Sequence, residues 1–204
     1  MSFSHRPGEQ SRVESARVKP WFLGLLDKVD RGDVSQAESA LMTIGAYVDR
    51  AATAGTDQPS YRSELLLDLP PEEGCASDAT ELLDALLGRW AVWGATARLC
   101  SPALWALGKA HDDKGLDRLL FAAARVAPPG DPHVSYQLLI AIENQIPQEG
   151  HRPLATLSSE PGLLEELERT FARWDCDRSP RAGEVADRIR MKLRPREPGG
   201  RGSG

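Results

Sequence analysis

The chain is expected to be all-α: antiparallel helical hairpins, about eight or nine helices, stacked as a short solenoid or irregular bundle with no sheet. The apolar residues argue for this first, since from Trp21 to Leu193 they recur at three- and four-residue steps. Prolines and glycines punctuate the pattern at the spacing of short helices. No window shows sustained two-residue alternation with β-branched enrichment, the mark of a strand. One helical domain is expected over 17–194. The polar, aperiodic 1–16 and the Pro/Gly/Arg-rich 195–204 are read as flexible tails.

Along the chain, Pro20 can open a first helix carrying Trp21, Phe22, Leu25, Leu26 and Val29. Asp33 is the expected N-cap of a second, whose Val34, Ala37, Leu41, Ile44, Val48 and Ala51 make one apolar stripe. Gly55 to Pro59 breaks it, and a short apolar piece, Tyr61 to Leu69, ends at Pro70-Pro71. Asp78 and Glu81 have capping-box spacing, with Asp in place of Ser or Thr. They introduce what reads as one central helix, stepping through Leu83, Leu86, Trp90, Trp93, Ala97 and Cys100. Ser101-Pro102 is expected to start another, through Leu104, Leu107 and His111, with a turn at Gly115. Leu116 to Val126 follows and stops before Pro128-Pro129-Gly130. Asp131-Pro132, Pro161 and Ser179-Pro180 open the last three helices.

Two stretches resemble tetratricopeptide repeats. Residues 101–134 place Leu107-Gly108 in a first helix, Gly115 at the turn, Ala127 late in a second helix and Pro132 at the end, spacings similar to the family's. Leu120, Ala124 and His111 depart from it. Residues 18–51 place Trp21, Gly32, Ala37 and Ile44 at matching offsets, with Gly24 and Leu25 displaced. The two starts lie 83 residues apart, which is not a multiple of the 34-residue period. Residues 52–100 do not fit. The likeness covers about a third of the chain, and a generic helical bundle is the alternative. The resemblance implies a groove lined by the first helix of each unit. Phe22, Leu26, Val29 and Asp30 would line it in one unit, and Trp105, Lys109, Asp112 and Asp113 in the other.

Composition bounds the function. The chain has 204 residues, 41% of them hydrophobic and 27% charged, ordinary for a folded soluble protein. The net charge of −5 argues against nucleic-acid binding by the whole surface. Cys75, Cys100 and Cys176 are odd in number and widely spaced, so they read as reduced thiols in a cytoplasmic protein. No run resembles a signal peptide or reaches membrane-spanning length, so no membrane association is expected. Twenty Arg against five Lys, with Asn144 the only asparagine, is the bias of GC-rich codons and points to a bacterium.

Candidate chemistry is sparse. His111-Asp112 resembles the pair of metal-dependent phosphohydrolases, but the only upstream histidine is His5. Asp112, Asp113 and Asp117 resemble a diphosphate-metal motif that Gly115 interrupts. No CxxC or HxxxH, phosphate-binding glycine loop or nucleophile elbow is present, so neither a cofactor nor a metal is expected. The tryptophans Trp90, Trp93 and Trp105 read as core before they read as a pocket. The largest asymmetry is C-terminal. Residues 178–201 hold eight basic groups against three acids, a charge of +5, which leaves −10 for the remainder. Arg188, Arg190, Lys192 and Arg194 form a candidate basic patch, able to meet an acidic partner or to pair with the protein's own acidic body.

The expected function is a non-catalytic interaction module, an adaptor, regulator or immunity-type inhibitor, that binds a protein or peptide. A nucleic-acid-associated regulator using the basic last helix is the second reading, and a metal-dependent helical hydrolase the third.

Overall fold

The computed structural model describes residues 20–53, 65, 76–110, 112–146 and 162–193. The expected tails, the Tyr61–Leu69 piece apart from Leu65, and Cys75, His111, Pro161 and Arg194 fall outside them. Among the described residues the protein is all-α, with no strand. The helices are α1 (Pro20–Arg31), α2 (Val34–Thr53), α3 (Ala76–Leu87), α4 (Trp90–Trp93), α5 (Ala97–Leu107), α6 (Gly115–Arg125), α7 (Pro132–Gln145), α8 (Leu163–Arg173) and α9 (Pro180–Leu193). A 3-10 turn, Cys176–Arg178, precedes α9.

Local chemistry sets several boundaries. Asp33 Oδ1 accepts from the Gln36 backbone N–H at 2.9 Å, and Gln36 Oε1 accepts in return from Asp33 N–H at 3.3 Å, a reciprocal cap. Asp131 accepts from His133 N–H at 2.8 Å ahead of Pro132 in the first turn of α7. Asp78, by contrast, is not the cap: α3 starts two residues earlier and holds it in its first turn. The helix expected to run through Cys100 is three helices. Gly94 and Thr96 separate α4 from α5, and the Thr96 hydroxyl accepts from Leu99 N–H. A Cβ on Gly94 would meet Val126 Cγ2 at 2.8 Å, so the chain bends where α6 presses on it. Pro102 does not start a helix either. It lies buried inside α5, where its ring leaves the Arg98 carbonyl without the usual bond.

The helices form two rows. In the first, α1 packs on α2, α2 on α5, α5 on α7 and α7 on α9; in the second, α3 packs on α6 and α6 on α8. From α2 through α5 and α7 to α9, neighbours in the first row run parallel, whereas α1 turns back on α2 as an antiparallel hairpin that sets Phe22 against Tyr47. Gly45 faces Trp105 and, four residues on, Asp49 pairs with Lys109. Gly108 meets Ala141, and Gln145 Nε2 donates to the Gly108 carbonyl. The core lies between the rows, with Leu41, Ile44, Leu86, Trp93, Leu104, Leu107, Leu119, Leu138 and Ile142 among its fully buried members. Buried indoles stitch it: Trp93 Nε1 donates to the Leu86 carbonyl and Trp174 Nε1 to that of Ala123. Ala127, expected within a second helix, lies exposed beyond the end of α6, and Gly115 is the buried first residue of α6.

Candidate partner-binding face

Along α5, from Leu99 to Gly108, only Ser101 and Trp105 are not buried, and Lys109 extends the same four-residue stripe. The helix is wedged between α2 and α7, so beyond its first turn, where the exposed Arg98 pairs with Glu38, this stripe is its outward surface. The indole of Trp105 lies against Gly45, where no side chain intervenes. Lys109 Nζ stands 5.4 Å from the Trp105 ring centroid and 3.0 Å from Asp49 Oδ1.

The same face continues across α7 and α9. Gly108 and Ala141 mark the line where the parallel helices α5 and α7 touch. Lys109, one residue after Gly108, and Ile140, one before Ala141, are turned about 100° in opposite senses, which brings both to the same side of the row. Ile140 and Tyr136, one turn apart, are half-buried there and pack on the core. Tyr136 is within electrostatic reach of Arg188 on α9. Arg188 makes a two-toothed pair with Glu143, Nε at 3.0 Å from Oε1 and Nη2 at 2.8 Å from Oε2, and Lys192 Nζ donates to the same carboxylate at 3.0 Å. The Arg188 hydrogen bonds hold Glu143 below its usual carboxylate range against the opposing effect of burial, with Lys192 adding to them.

Of the residues expected to bind a partner, Trp105 and Lys109 lie on the outward side of α5, and Arg188 and Lys192 of the expected basic patch pair with Glu143 of the adjoining α7. Phe22 and Leu26 are corrected. They are 1% and 2% exposed and belong with Val29 to the core, because α2, α3 and α4 all pack against α1. Phe22 instead stacks edge-on with Trp21 and Tyr47. Asp30 is exposed and pairs with Arg89 at 2.9 Å. Asp112 belongs to the other row. Both of its carboxylate oxygens accept from Nη1 of the buried Arg118, whose Nε also reaches Asp84 at 2.7 Å, and Oδ2 accepts from the Thr80 hydroxyl at 2.9 Å. Burial raises the Asp112 carboxyl, but these hydrogen bonds and the attraction of Arg118 outweigh it and hold the group below its usual range. Asp113 is exposed beside it. Arg190 turns away from the face to Glu168 of α8, at 2.8 Å through both Nε and Nη2, and to Asp187.

Sequence reasoning missed Asp49, Tyr136, Ile140 and Glu143. The signal for the α7 pair was present: Tyr136 and Ile140 stand four apart and off the stripe of Val134, Leu138, Ala141 and Ile142. Among the described residues no three His, Cys, Asp and Glu side chains gather to hold a metal ion, and no helix is long and apolar enough to cross a membrane. Comparison with protein-family models, with curated proteins and with solved structures returns no match to this chain.

Proposed function

We propose that the protein is a non-catalytic interaction module whose α5–α7–α9 face docks a segment of another protein, as an adaptor, a regulator or an immunity-type inhibitor does. One observation carries the reading. A strip of half-buried Trp105, Tyr136 and Ile140 spans the neighbouring parallel helices α5 and α7 and is bordered by ion pairs that reach α2 and α9. Aromatic and aliphatic anchors inside a charged rim are the make-up of protein-binding hot spots. The nucleic-acid reading draws less support, because Arg188, Arg190 and Lys192 each hold a carboxylate of the protein itself.

The test is site-specific photocrosslinking in host cells, with a benzophenone amino acid at Ser101 or Gln137 on the face and at Asp30 on α1. A discrete adduct from the two face positions, lost in Trp105→Ala, is expected. Equal adducts from Asp30, or adducts indifferent to Trp105→Ala, would sink the reading.

A further inference from the structure

Negative charge gathers on one side of the second row. The helix α3 and residues 112–125 hold six acids against three bases, a charge of −3, and residues 54–75, which lead into α3, add five acids and one base. Together they carry −7, so the rest of the chain is +2 against a total of −5. Asp113, Asp117 and Phe121 step four residues apart along α6 and the turn before it, and all three are exposed. The Asp84–Arg118 bond sets α3 alongside, with Glu81 half-buried and Asp84 53% exposed. Glu81, Asp113 and Asp117 enter no ion pair among the described residues. Of the three bases, Arg118 is 3% exposed, Arg125 lies over the Phe121 ring at 3.4 Å from its centroid, and Lys114 is exposed. The chain's own cations therefore leave this surface acidic. Arg118 adds a second observation. Its Nε gives to Asp84 Oδ1 and its Nη1 to Asp112, but Nη2, on the same edge as Nε, finds no acceptor. Asp84 Oδ2 likewise takes no hydrogen bond among the described residues. An unmet donor and an unmet acceptor thus flank one hydrogen bond among the acids.

We propose that this outer face of α3 and α6 docks a Lys- and Arg-rich segment of a partner protein. Its basic side chains pair with Glu81, Asp84, Asp113 and Asp117, and an apolar side chain rests on Phe121. A peptide also brings main-chain carbonyls, the acceptor that Arg118 Nη2 lacks. Other occupants fit less well. Among the described residues no three His, Cys, Asp or Glu side chains gather to hold a metal ion. A second copy of the chain would have to bring Arg188, Arg190 or Lys192, each already held by a carboxylate of its own chain. The surface lies on the layer opposite the Trp105 strip and binds whether or not that strip is occupied.

The experiment is panning of a random dodecapeptide library on the full chain, followed by fluorescence polarisation of the enriched peptides across a salt series. A group of peptides rich in Lys and Arg around an apolar residue is expected. Their affinity should fall about tenfold in Asp113→Asn/Asp117→Asn, recover in Asp113→Glu/Asp117→Glu, and fall with salt. It should fall a few-fold in Phe121→Ala. It should change less than twofold in Glu184→Gln/Asp187→Asn, which removes the same two negative charges from α9, and in Trp105→Ala. Peptides no more basic than the starting library, or equal losses in the two charge-matched variants, overturn the inference. So does a concentration-dependent dimer in light scattering that disappears in Asp113→Asn/Asp117→Asn, since it gives the face to a second copy. Basic peptides whose binding is lost in Trp105→Ala belong to the α5–α7 strip, which overturns this inference and leaves the reading of that strip standing.

Discussion

Gly45 of α2 faces the six-membered ring of Trp105 on α5 so closely that a methyl group on Gly45 would fall inside the indole. The contact joins the two most extensively packed helices and at the same time sets the height of the central aromatic of the candidate face. Gly45→Ala is therefore expected to destabilise the protein by roughly 1–3 kcal/mol through overpacking. Urea melts should show the loss. In a Trp105→Ala background the same change should cost much less, and equal costs in both backgrounds would mean that the ring is not what the methyl group meets.

Arg118 is buried, and it joins α6 to Asp84 of α3 and to Asp112. Arg118→Ala strands two carboxylates and should lower stability by about 3 kcal/mol. Denaturant midpoints of Arg118→Ala and of the double variant with Asp112→Asn give the check. A double variant no more stable than the single one counts against the pairing.

Asp112 also supplies a pH dependence. Its carboxyl is held lower in the folded protein than its unfolded value of about 3.9. The resulting stabilisation is complete well above pH 4 and disappears as pH falls through the lower, folded value. Wild type should exceed Asp112→Asn in stability at pH 7, and the gap should narrow as pH is lowered below the unfolded carboxylate range in an acid titration of melting temperature. A gap that stays constant from pH 7 to pH 2 contradicts the assignment.

Cys100 and Cys176 are buried, and burial pushes each thiol up to about 12. Neither should form thiolate at neutral pH in the native state. In a Cys75→Ser variant, Ellman's reagent should label no thiol within minutes under native conditions and two in denaturant. Prompt native labelling would place one of these cysteines at the surface.

Glu143 links α7 to two cations of α9 at a partly exposed site. Glu143→Ala should cost about 1 kcal/mol at low ionic strength and less in high salt, since screening weakens what is removed. Thermal melts across a salt series give the difference directly.

What the sequence made legible was local. Asp33 and Asp131 cap helices, and Pro132 and Pro180 begin them, because each choice is decided by the next three residues. The three-way break between Leu87 and Ala97 was not legible, since Leu86, Trp90, Trp93 and Cys100 keep helical spacing straight across it. Only the approach of Val126, distant in sequence, makes Gly94 the place to bend. The same division holds for the site. Trp105 and Lys109 share a stripe with each other, whereas Asp49, Tyr136 and Glu143 join them through the parallel alignment of separate helices. Phe22 and Leu26 were assigned by their place in a hairpin. Their burial follows from the packing of α2, α3 and α4 on α1.

The arrangement of the first row, in which each helix rests mainly on the next, has a dynamic consequence. The terminal helix α9 is held chiefly by α7, the 3-10 turn and α8, while α1 is held by α2, α3 and α4. Opening of one end therefore leaves the contacts of the other intact, and amide exchange should proceed inward from α9 rather than as a single global event. A ligand lying across α5, α7 and α9 slows exchange in the C-terminal half and leaves α1 exchanging at its former rate.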